Sequence, residues 1–291
     1  MSLGRRSFAV FLAMTPGIGG RSIVRILTRN DLLARSPEEF LALSPEVLAE
    51  EYKLGPKAVN ALTSNQAELL REAAETETRM SELGVTLVTL ADANYPERIE
   101  AMDPDPPGML FMYGNQKLLD ASTFAVLSSR GTPGAALDEL EALAEEGVLA
   151  GNVLVSGHDT PEYQRSAVVP LRWGAPRILV LDRGLYEGFG KELRSEPFRA
   201  ARLWRYEYDP HTDLAISPFR PHAKYVGINN QVRDRLIASL ADRLDFVDAK
   251  PTGNMEKCLR LALKAGRKVR VCDRSLGYRD YVREGAEPIR S

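Results

Sequence analysis

The feature that most constrains this fold is the alternation of short apolar segments with amphipathic helices that begins at residue 123. The apolar segments are rich in β-branched residues, and the segments between them carry apolar residues at helical spacing. This alternation indicates an α/β fold with a mostly parallel sheet and helices on both faces. Strands are predicted over residues 124–129, 152–157, 177–184, 202–208, 244–249 and 268–273, with two earlier ones over 85–92 and 109–113.

The N-terminal part lacks this alternation and predicts a small all-helical domain. Ser36 and Ser44 are each followed by proline and glutamate. Serine is a favourable N-cap and proline is tolerated at the first helical position, so each serine predicts a helix start. A long polar helix is predicted over residues 66–84, and we expect it to lead into the second domain. The predicted domains are residues 1–78 and 79–291.

Composition restricts the function classes. The chain of 291 residues is 44% hydrophobic and 27% charged, as ordinary globular proteins are. Its net charge of −2 excludes a nucleic-acid binder that relies on bulk positive charge. The charge is uneven, because residues 251–291 carry ten Lys or Arg against five Asp or Glu, whereas residues 101–160 carry two against nine. This distribution is compatible with a basic face on an acidic protein.

The cysteine count and the hydropathy argue against a metal site, a disulfide framework and a membrane-spanning segment. The two cysteines form no C-x-x-C pair and only three histidines are present, so we expect neither a zinc site nor a disulfide framework. No apolar run approaches the roughly 20 residues that span a bilayer. The short apolar run near the N-terminus is broken by Pro16 and lacks a cleavage site. We expect a cytoplasmic protein that uses no metal and no cofactor and contacts no membrane.

Small residues, glycines and arginines gather where the predicted strands end. The first strand of the alternation ends on Ser128-Ser129-Arg130-Gly131, and similar residues follow other strands at 156–159 and 249–254. In parallel sheets ligands bind at these ends. Backbone N–H groups at helix N-termini together with arginine side chains favour phosphate, so the sequence predicts a phosphate or polyanion site there.

The order of segments resembles the DNA-processing protein A (DprA, or Smf) family over nearly the whole chain. LAMTPGIGGRSIVRIL resembles its helix-hairpin-helix-like leader, FAVLSSRGTPG its G-S-R-x-x-T-x-x-G segment, and VRDRLIASLADRLDFVDA its R-N-R-x-I-A-x-L segment. KAGRKVRVCD and YVREGAEPI resemble its closing segments. Its D-x-x-Y-P and P-P-x-L-x-x-x-G-N stretch is matched by Asp92, Tyr95, Pro96, Pro106, Pro107, Leu110, Gly114 and Asn115.

The resemblance implies an extended Rossmann-like domain, preceded by a helix-hairpin-helix or SAM-like domain, in a protein that binds single-stranded DNA and forms a homodimer. It implies a recombination mediator that assists RecA loading during natural transformation, and not an enzyme. Contacts to DNA phosphates are expected from Ser128, Ser129, Arg130, Gly157, Arg233, Arg235, Thr252, Gly253 and Asn254. Helix-hairpin-helix backbone contacts are expected from Gly17, Ile18 and Gly19, although a plain turn explains the same residues.

Several positions depart from the family pattern. Ser128 stands where the family has glycine, Asp234 stands where it has asparagine, and Thr252 stands where it has serine. The glycine-rich loop after the second strand is shortened to residues 156–159. The common C-terminal winged helix is expected to be absent. The chain is therefore a divergent member, in which fold is expected to transfer better than function.

Individual side chains leave alternatives open. Arg233 and Arg235 diverge by about 200° on a helix, so we expect one to face the ligand and the other to pair with Asp234 or Asp242. Arg130 is expected to bind phosphate, and the alternatives are that it caps a turn or pairs with an acidic residue in 138–146. Three aromatic side chains are candidates for base stacking, but core packing is the favoured expectation for each: Trp173, Trp204 and Tyr206.

Two other functions compete with DNA binding. PTGNME, residues 251–256, weakly resembles the P-G-G-x-G-T-x-x-E loop of Rossmann proteins that cleave nucleoside monophosphates, with Gly253 and Glu256 in place. A nucleotide-binding or nucleoside-phosphate-processing protein is therefore the alternative. A pure assembly protein with a vestigial pocket is the third hypothesis. His158 and Asp159 are too close in sequence to suggest a catalytic triad.

Overall fold

The structure is a computed structural model that describes residues 3–289 and divides the chain into two units. The first unit comprises the residues up to Tyr95 together with Pro107–Met112, and the second comprises Pro96–Pro106 together with the residues from Tyr113 onward. The domain boundary proposed after residue 78 stays a prediction. A continuous helix runs across that residue.

The first unit is largely helical, as its sequence predicts. Ser36 caps its helix with a reciprocal capping box to Glu39, and the Ser44 hydroxyl accepts a hydrogen bond from the Val47 amide. Phe8 and Phe40 stack edge to face in its core. Its elements are α1 (Arg5–Met14), α2 (Gly20–Leu33), α3 (Pro37–Leu41), α4 (Pro45–Glu50), α5 (Pro56–Ser64), α6 (Gln66–Glu82), β1 (Val85–Thr89) and most of β2 (Met109–Gly114).

The second unit alternates strands with helices. It begins with α7 (Glu97–Met102), a 3₁₀ turn (Gln116–Asp120), β3 (Thr123–Ser128), α8 (Gly134–Leu149), β4 (Val153–Ser156), α9 (Pro161–Ala167), α10 (Val169–Trp173) and β5 (Arg177–Val180). It continues with α11 (Leu185–Phe189), a 3₁₀ turn (Ala201–Leu203), β6 (Leu214–Ser217), α12 (Asn229–Leu240), β7 (Arg243–Asp248), α13 (Asn254–Lys264), β8 (Lys268–Cys272), α14 (Tyr278–Arg283) and β9 (Glu287–Ile289).

The sheet of the second unit is doubly wound. Its strand order is β6-β5-β4-β3-β7-β8-β9, and every neighbouring pair is parallel. All six residues of β3 are buried, because helices cover both faces of the sheet. The chain winds outward from β3 through β4, β5 and β6, and then returns to place β7 on the other side of β3. The predicted α/β fold with a mostly parallel sheet is confirmed, and the point between β3 and β7 is its topological switch.

One strand prediction was wrong. Residues 202–208 form no strand; they include the end of a 3₁₀ turn at Ala201–Leu203. The strand beside β5 is instead β6, which the sequence prediction missed. The alternation of aromatic and charged residues in RLWRYEY is typical of a strand. In the structure, however, Arg205 forms ion pairs with the buried Glu196 and Asp213, and the segment does not adopt an extended conformation. No helix among residues 3–289 is long and apolar enough to cross a membrane.

Candidate nucleic-acid interface

A cleft of about 360 Å³ opens at the carboxyl ends of β3 and β7, at the topological switch. Most of the residues that line it carry polar or charged side chains, and six of the nine predicted phosphate-binding residues belong to the lining. The cleft is lined by Ser128, Ser129, Arg130, Thr160, Tyr163, Gly227, Asn230, Gln231, Arg233, Asp234, Lys250, Gly253, Asn254 and Met255.

The loop after β3 is held by its own hydroxyl groups. The Ser128 and Thr132 hydroxyls are 2.6 Å apart, and Thr132 Oγ1 donates to the Ser129 carbonyl at 2.6 Å. The Lys250 amide donates to Ser129 Oγ at 2.9 Å, and Lys250 Nζ donates to the Arg130 carbonyl at 2.7 Å. Ser128 therefore does more than replace a glycine, because its hydroxyl takes part in fixing the loop that carries Arg130.

Arg130 is the most accessible arginine of the cleft. Its side chain is 57% exposed and contacts Asp159 Oδ2 at 3.3 Å. Its partner is thus Asp159, and the alternative in which it pairs with an acidic residue of 138–146 is not observed. A single exposed ion pair of this kind contributes little to stability, so the guanidinium remains available to a phosphate.

A buried carboxylate accepts hydrogen bonds from the backbone amides that follow Arg130. Glu162 Oε1 accepts hydrogen bonds from the Gly131 amide at 2.8 Å and from the Thr132 amide at 3.2 Å. Glu162 lies in the first turn of α9 and is buried. These two amides are therefore not free to bind a phosphate, because the Glu162 carboxylate already satisfies them. No sequence signal identified Glu162, since its partners are about thirty residues away.

Arg233 is held in the wall of the cleft by two carboxylates and a ring. Its Nε donates to Asp234 Oδ1 at 2.6 Å, its Nη1 pairs with Asp159, and its guanidinium lies 4.4 Å from the centre of the Tyr163 ring. The side chain is 1% exposed. Burial, followed by the charge of Asp234, raises the pKa of Tyr163 well above its ordinary value, so its hydroxyl is a permanent donor to Asp234.

Asp234 organises three side chains of the cleft. Besides Arg233 and Tyr163, it accepts a hydrogen bond from Asn254 Nδ2 at 2.7 Å. We expected one of Arg233 and Arg235 to face the ligand and the other to pair with Asp234 or Asp242, and the structure corrects the pairing. Arg233 faces the cleft and itself pairs with Asp234, whereas Arg235 turns away and donates to Asp103 at 3.0 Å.

The start of α13 offers backbone donors to the cleft. Gly253, its N-cap, provides no side-chain cap. The first amides of a helix have no intrahelical partner, and the helix dipole adds partial positive charge there. α13 begins at Asn254, whose side chain lines the cleft. This helix start therefore presents backbone donors beside the cleft, whereas the Gly131 and Thr132 amides after β3 are already bonded to Glu162.

The other predicted site residues lie outside the cleft lining. A Cβ on Gly157 would come within 2.6 Å of Arg233 Nη1, so this glycine provides the space that Arg233 fills. Thr252 has a positive φ of 63°, and its amide donates to Glu256 Oε2 at 2.6 Å. Glu256 also accepts a hydrogen bond from the Tyr281 hydroxyl at 3.0 Å. Its engagement outside the cleft argues against Glu256 as a base in nucleotide cleavage.

The Gly17 turn belongs to the first unit and is tightly packed. Gly17 has a φ of 85°, and a Cβ there would lie 2.8 Å from the Ala58 amide nitrogen. The Ile18 side chain is buried and its amide donates to the Thr15 carbonyl at 3.2 Å, while Gly19 is the N-cap of α2. Packing thus accounts for Gly17 and Ile18, and DNA contact by Gly17, Ile18 and Gly19 stays a prediction.

His158 is buried behind the cleft. Its Nε2 has no hydrogen-bond partner among the described residues. Burial lowers its pKa to about 4, so the imidazole is neutral near pH 7.

Comparison with known proteins identifies the family. The family model for DNA recombination-mediator protein A matches residues 86–291. The chain belongs to this family. That description names a mediator of recombination and not a catalyst, in agreement with the expected absence of enzymatic activity. A search of curated proteins found no match.

Two solved structures of the family share the fold. DNA processing protein A from Streptococcus pneumoniae is 20% identical with a TM-score of 0.73, and the match covers 100% of this chain and 96% of that chain. DNA processing protein A from Helicobacter pylori, described for its single-stranded DNA binding mode, is 20% identical with a TM-score of 0.54. That match covers 71% of this chain and 91% of the other. The resemblance inferred from sequence motifs is confirmed.

Proposed function

We propose that this protein binds single-stranded DNA in the cleft between β3 and β7 and acts as a recombination mediator of the DNA processing protein A type. Membership of the family supports the role in recombination. Assistance to RecA loading in natural transformation, a homodimeric state and a cytoplasmic location are the finer parts of this proposal.

The observation that carries the proposal is the grouping of Arg130, Lys250 and the start of α13 around one cleft at the switch point. Arg130 presents a planar donor, Lys250 adds a second positive charge, and α13 adds unpaired amides. Contacts to phosphates carry no sequence information, so the expected binding is independent of sequence.

Charge reversal at Arg130 tests the proposal against a matched control. The side chains of Arg130 and Lys268 are both 57% exposed, but Lys268 is the first residue of β8 and lies at the amino edge of the sheet, opposite the cleft. We expect Arg130→Glu to weaken single-strand binding at least about tenfold, because a charge-assisted phosphate contact is lost. Lys268→Glu changes the net charge equally and is expected to leave affinity nearly unchanged.

Fluorescence anisotropy with a labelled oligonucleotide at several salt concentrations measures both effects. The wild-type log–log salt slope is expected to be about −0.7 per neutralised phosphate, and Arg130→Glu is expected to make it shallower. Binding that is insensitive to salt would refute the phosphate mechanism. Equal losses in Arg130→Glu and Lys268→Glu would show that bulk charge, and not this cleft, determines affinity.

A further inference from the structure

We propose that the second unit carries a separate contact for single-stranded nucleic acid, formed by Leu203, Trp204 and Tyr206 with Arg199 and Arg202, here called the aromatic platform. This inference rests on the proposed function and extends it. The platform lies in the excursion between β5 and β6 and contributes nothing to the cleft lining.

Three large apolar side chains of the platform are exposed to solvent. Leu203 is 85% exposed, Tyr206 is 78% exposed and Trp204 is 52% exposed. The expected core packing of Trp204 and Tyr206 is therefore wrong, and that of Trp173, which is 53% exposed, is wrong as well. Three large exposed apolar side chains within four consecutive positions indicate an interaction surface, whereas singly scattered ones would not.

The platform is rigidly anchored although its tips are exposed. Arg177, the first residue of β5, donates to Glu196 at 2.5 Å and to Asp213 at 2.8 Å, and all three side chains are completely buried. Arg205 joins the same two carboxylates. The Arg172 guanidinium lies 5.4 Å from the centre of the Trp204 ring. Trp204 is consequently held in place before any ligand arrives, which lowers the entropic cost of stacking.

The positive charge of Arg199 and Arg202 indicates what kind of ligand the platform binds. Arg199 is exposed and has no ion pair among the described residues, and exposed Arg202 uses its guanidinium only to donate to the Glu196 carbonyl. Arginines next to exposed aromatic rings are the combination that binds single strands, because bases stack on the rings and the cations lie near phosphates. Arginines without a carboxylate partner favour a polyanionic occupant over an uncharged protein surface.

The position of the platform predicts a long footprint. Arg177 and Asp213 fix it at the amino edge of β5 and β6, whereas the cleft lies at the carboxyl edge of β3 and β7. Four-residue strands separate these edges by about 13 Å, and helices cover the faces between them. A very short oligonucleotide bound in the cleft therefore does not reach the platform, whereas a long one reaches both contacts.

The test compares two oligonucleotide lengths on the full chain. We expect the double variant Trp204→Ala and Tyr206→Ala to bind an oligo(dT) of about 30 nucleotides at least about fivefold more weakly than wild type, while an oligo(dT) of about 4 nucleotides is unaffected. The matched control, Trp204→Phe with Tyr206→Phe, keeps both rings and is expected to retain most of the affinity. Sedimentation velocity records the oligomeric state of each variant.

A spectroscopic readout isolates the stacking itself. The chain has two tryptophans, so Trp173→Phe leaves Trp204 as the sole indole. We expect the long oligonucleotide to quench its fluorescence. Unchanged affinity of the alanine variant for the long oligonucleotide, absence of quenching, or a change of oligomeric state without a change in DNA affinity would each overturn the proposal. If the wild type bound neither length, the proposed function itself would fail; wild-type binding with an inert platform would refute only this inference.

Discussion

Replacing Asp234 by asparagine gives the sharpest test of how the cleft is built, because it restores the residue type of the family pattern. Asp234 Oδ1 accepts hydrogen bonds from Arg233 at 2.6 Å and from Tyr163 at 2.7 Å, and Oδ2 accepts one from Asn254 at 2.7 Å. An asparagine keeps Oδ1 and its two bonds. Its amide nitrogen then faces Asn254 Nδ2, and rotation of the Asn254 amide restores that contact.

The expected loss of stability is modest. A charge-assisted hydrogen bond contributes about 1.5–3 kcal/mol and a neutral one about 0.5–1.5 kcal/mol, so Asp234→Asn is expected to cost about 1–2 kcal/mol. The loss remains below the roughly 3–5 kcal/mol of a broken buried pair, because Asp159 still neutralises Arg233. Each kcal/mol lowers the apparent melting temperature by about 2–4 °C at this size.

DNA affinity is expected to move in the opposite direction. One negative charge about 8 Å from a bound phosphate costs about 0.5–2 kcal/mol for effective dielectric constants between 80 and 20. Asp234→Asn should therefore bind single-stranded DNA about 2- to 30-fold more tightly, with a salt slope steeper by up to about 0.7. Thermal melting and anisotropy titrations at two salt concentrations measure both effects. Tighter binding is the decisive point: unchanged or weaker binding by a folded Asp234→Asn protein would refute this account.

Three further predictions concern the surroundings of the cleft and the first unit. Burial lowers the folded-state pKa of His158 from 6.5 to about 4, so stability present above pH 6.5 is lost as pH falls towards 4, by up to about 3 kcal/mol. Melting curves of His158→Gln should lose this part of the pH dependence, and an unaltered profile would contradict it. Glu162→Ala should melt lower than Glu162→Gln, because only glutamine keeps an acceptor for the Gly131 and Thr132 amides; equal melting temperatures would exclude that role. Gly17→Ala should cost more than about 1 kcal/mol because its φ is 85° and Ala58 leaves no space, and binding at the cleft should survive; a thermally neutral substitution would be inconsistent with the tight turn.

The fold was predictable from sequence because its strongest signals are local. Continuous apolar runs gave β3, β4, β7 and β8 within a few residues of their observed bounds, and helical spacing gave α8 and α13. The failure at residues 202–208 has a tertiary cause, since Arg205 satisfies Glu196 and Asp213 in a buried cluster that no local pattern reveals. Hydrophobic alternation alone does not distinguish such an anchored loop from a strand.

The position of the candidate site was predictable, but the hydrogen bonds and ion pairs of its residues were not. Strand-end chemistry and the family motif located Ser129, Arg130 and Asn254 around the cleft. The partners of these residues come from distant parts of the chain, as Glu162 does for the Gly131 amide and Asp103 does for Arg235. Which of two arginines faces a ligand depends on where the carboxylates lie, and sequence spacing carries no information about that.

Two departures from the family pattern, Ser128 and Asp234, change the lining of the cleft. The Ser128 hydroxyl contacts Thr132, which a glycine has no side chain to do, and Asp234 bonds to Arg233, Tyr163 and Asn254 with a negative charge that an asparagine lacks. Asp159 and Asp234 pair with Arg130 and Arg233 before DNA arrives. Fixing them lowers the entropic cost of binding but also cancels part of their charge. If the cleft binds DNA more weakly for this reason, a second contact adds most to the affinity. We therefore expect both the aromatic platform and the charge of Asp234 to change the affinity for long single strands.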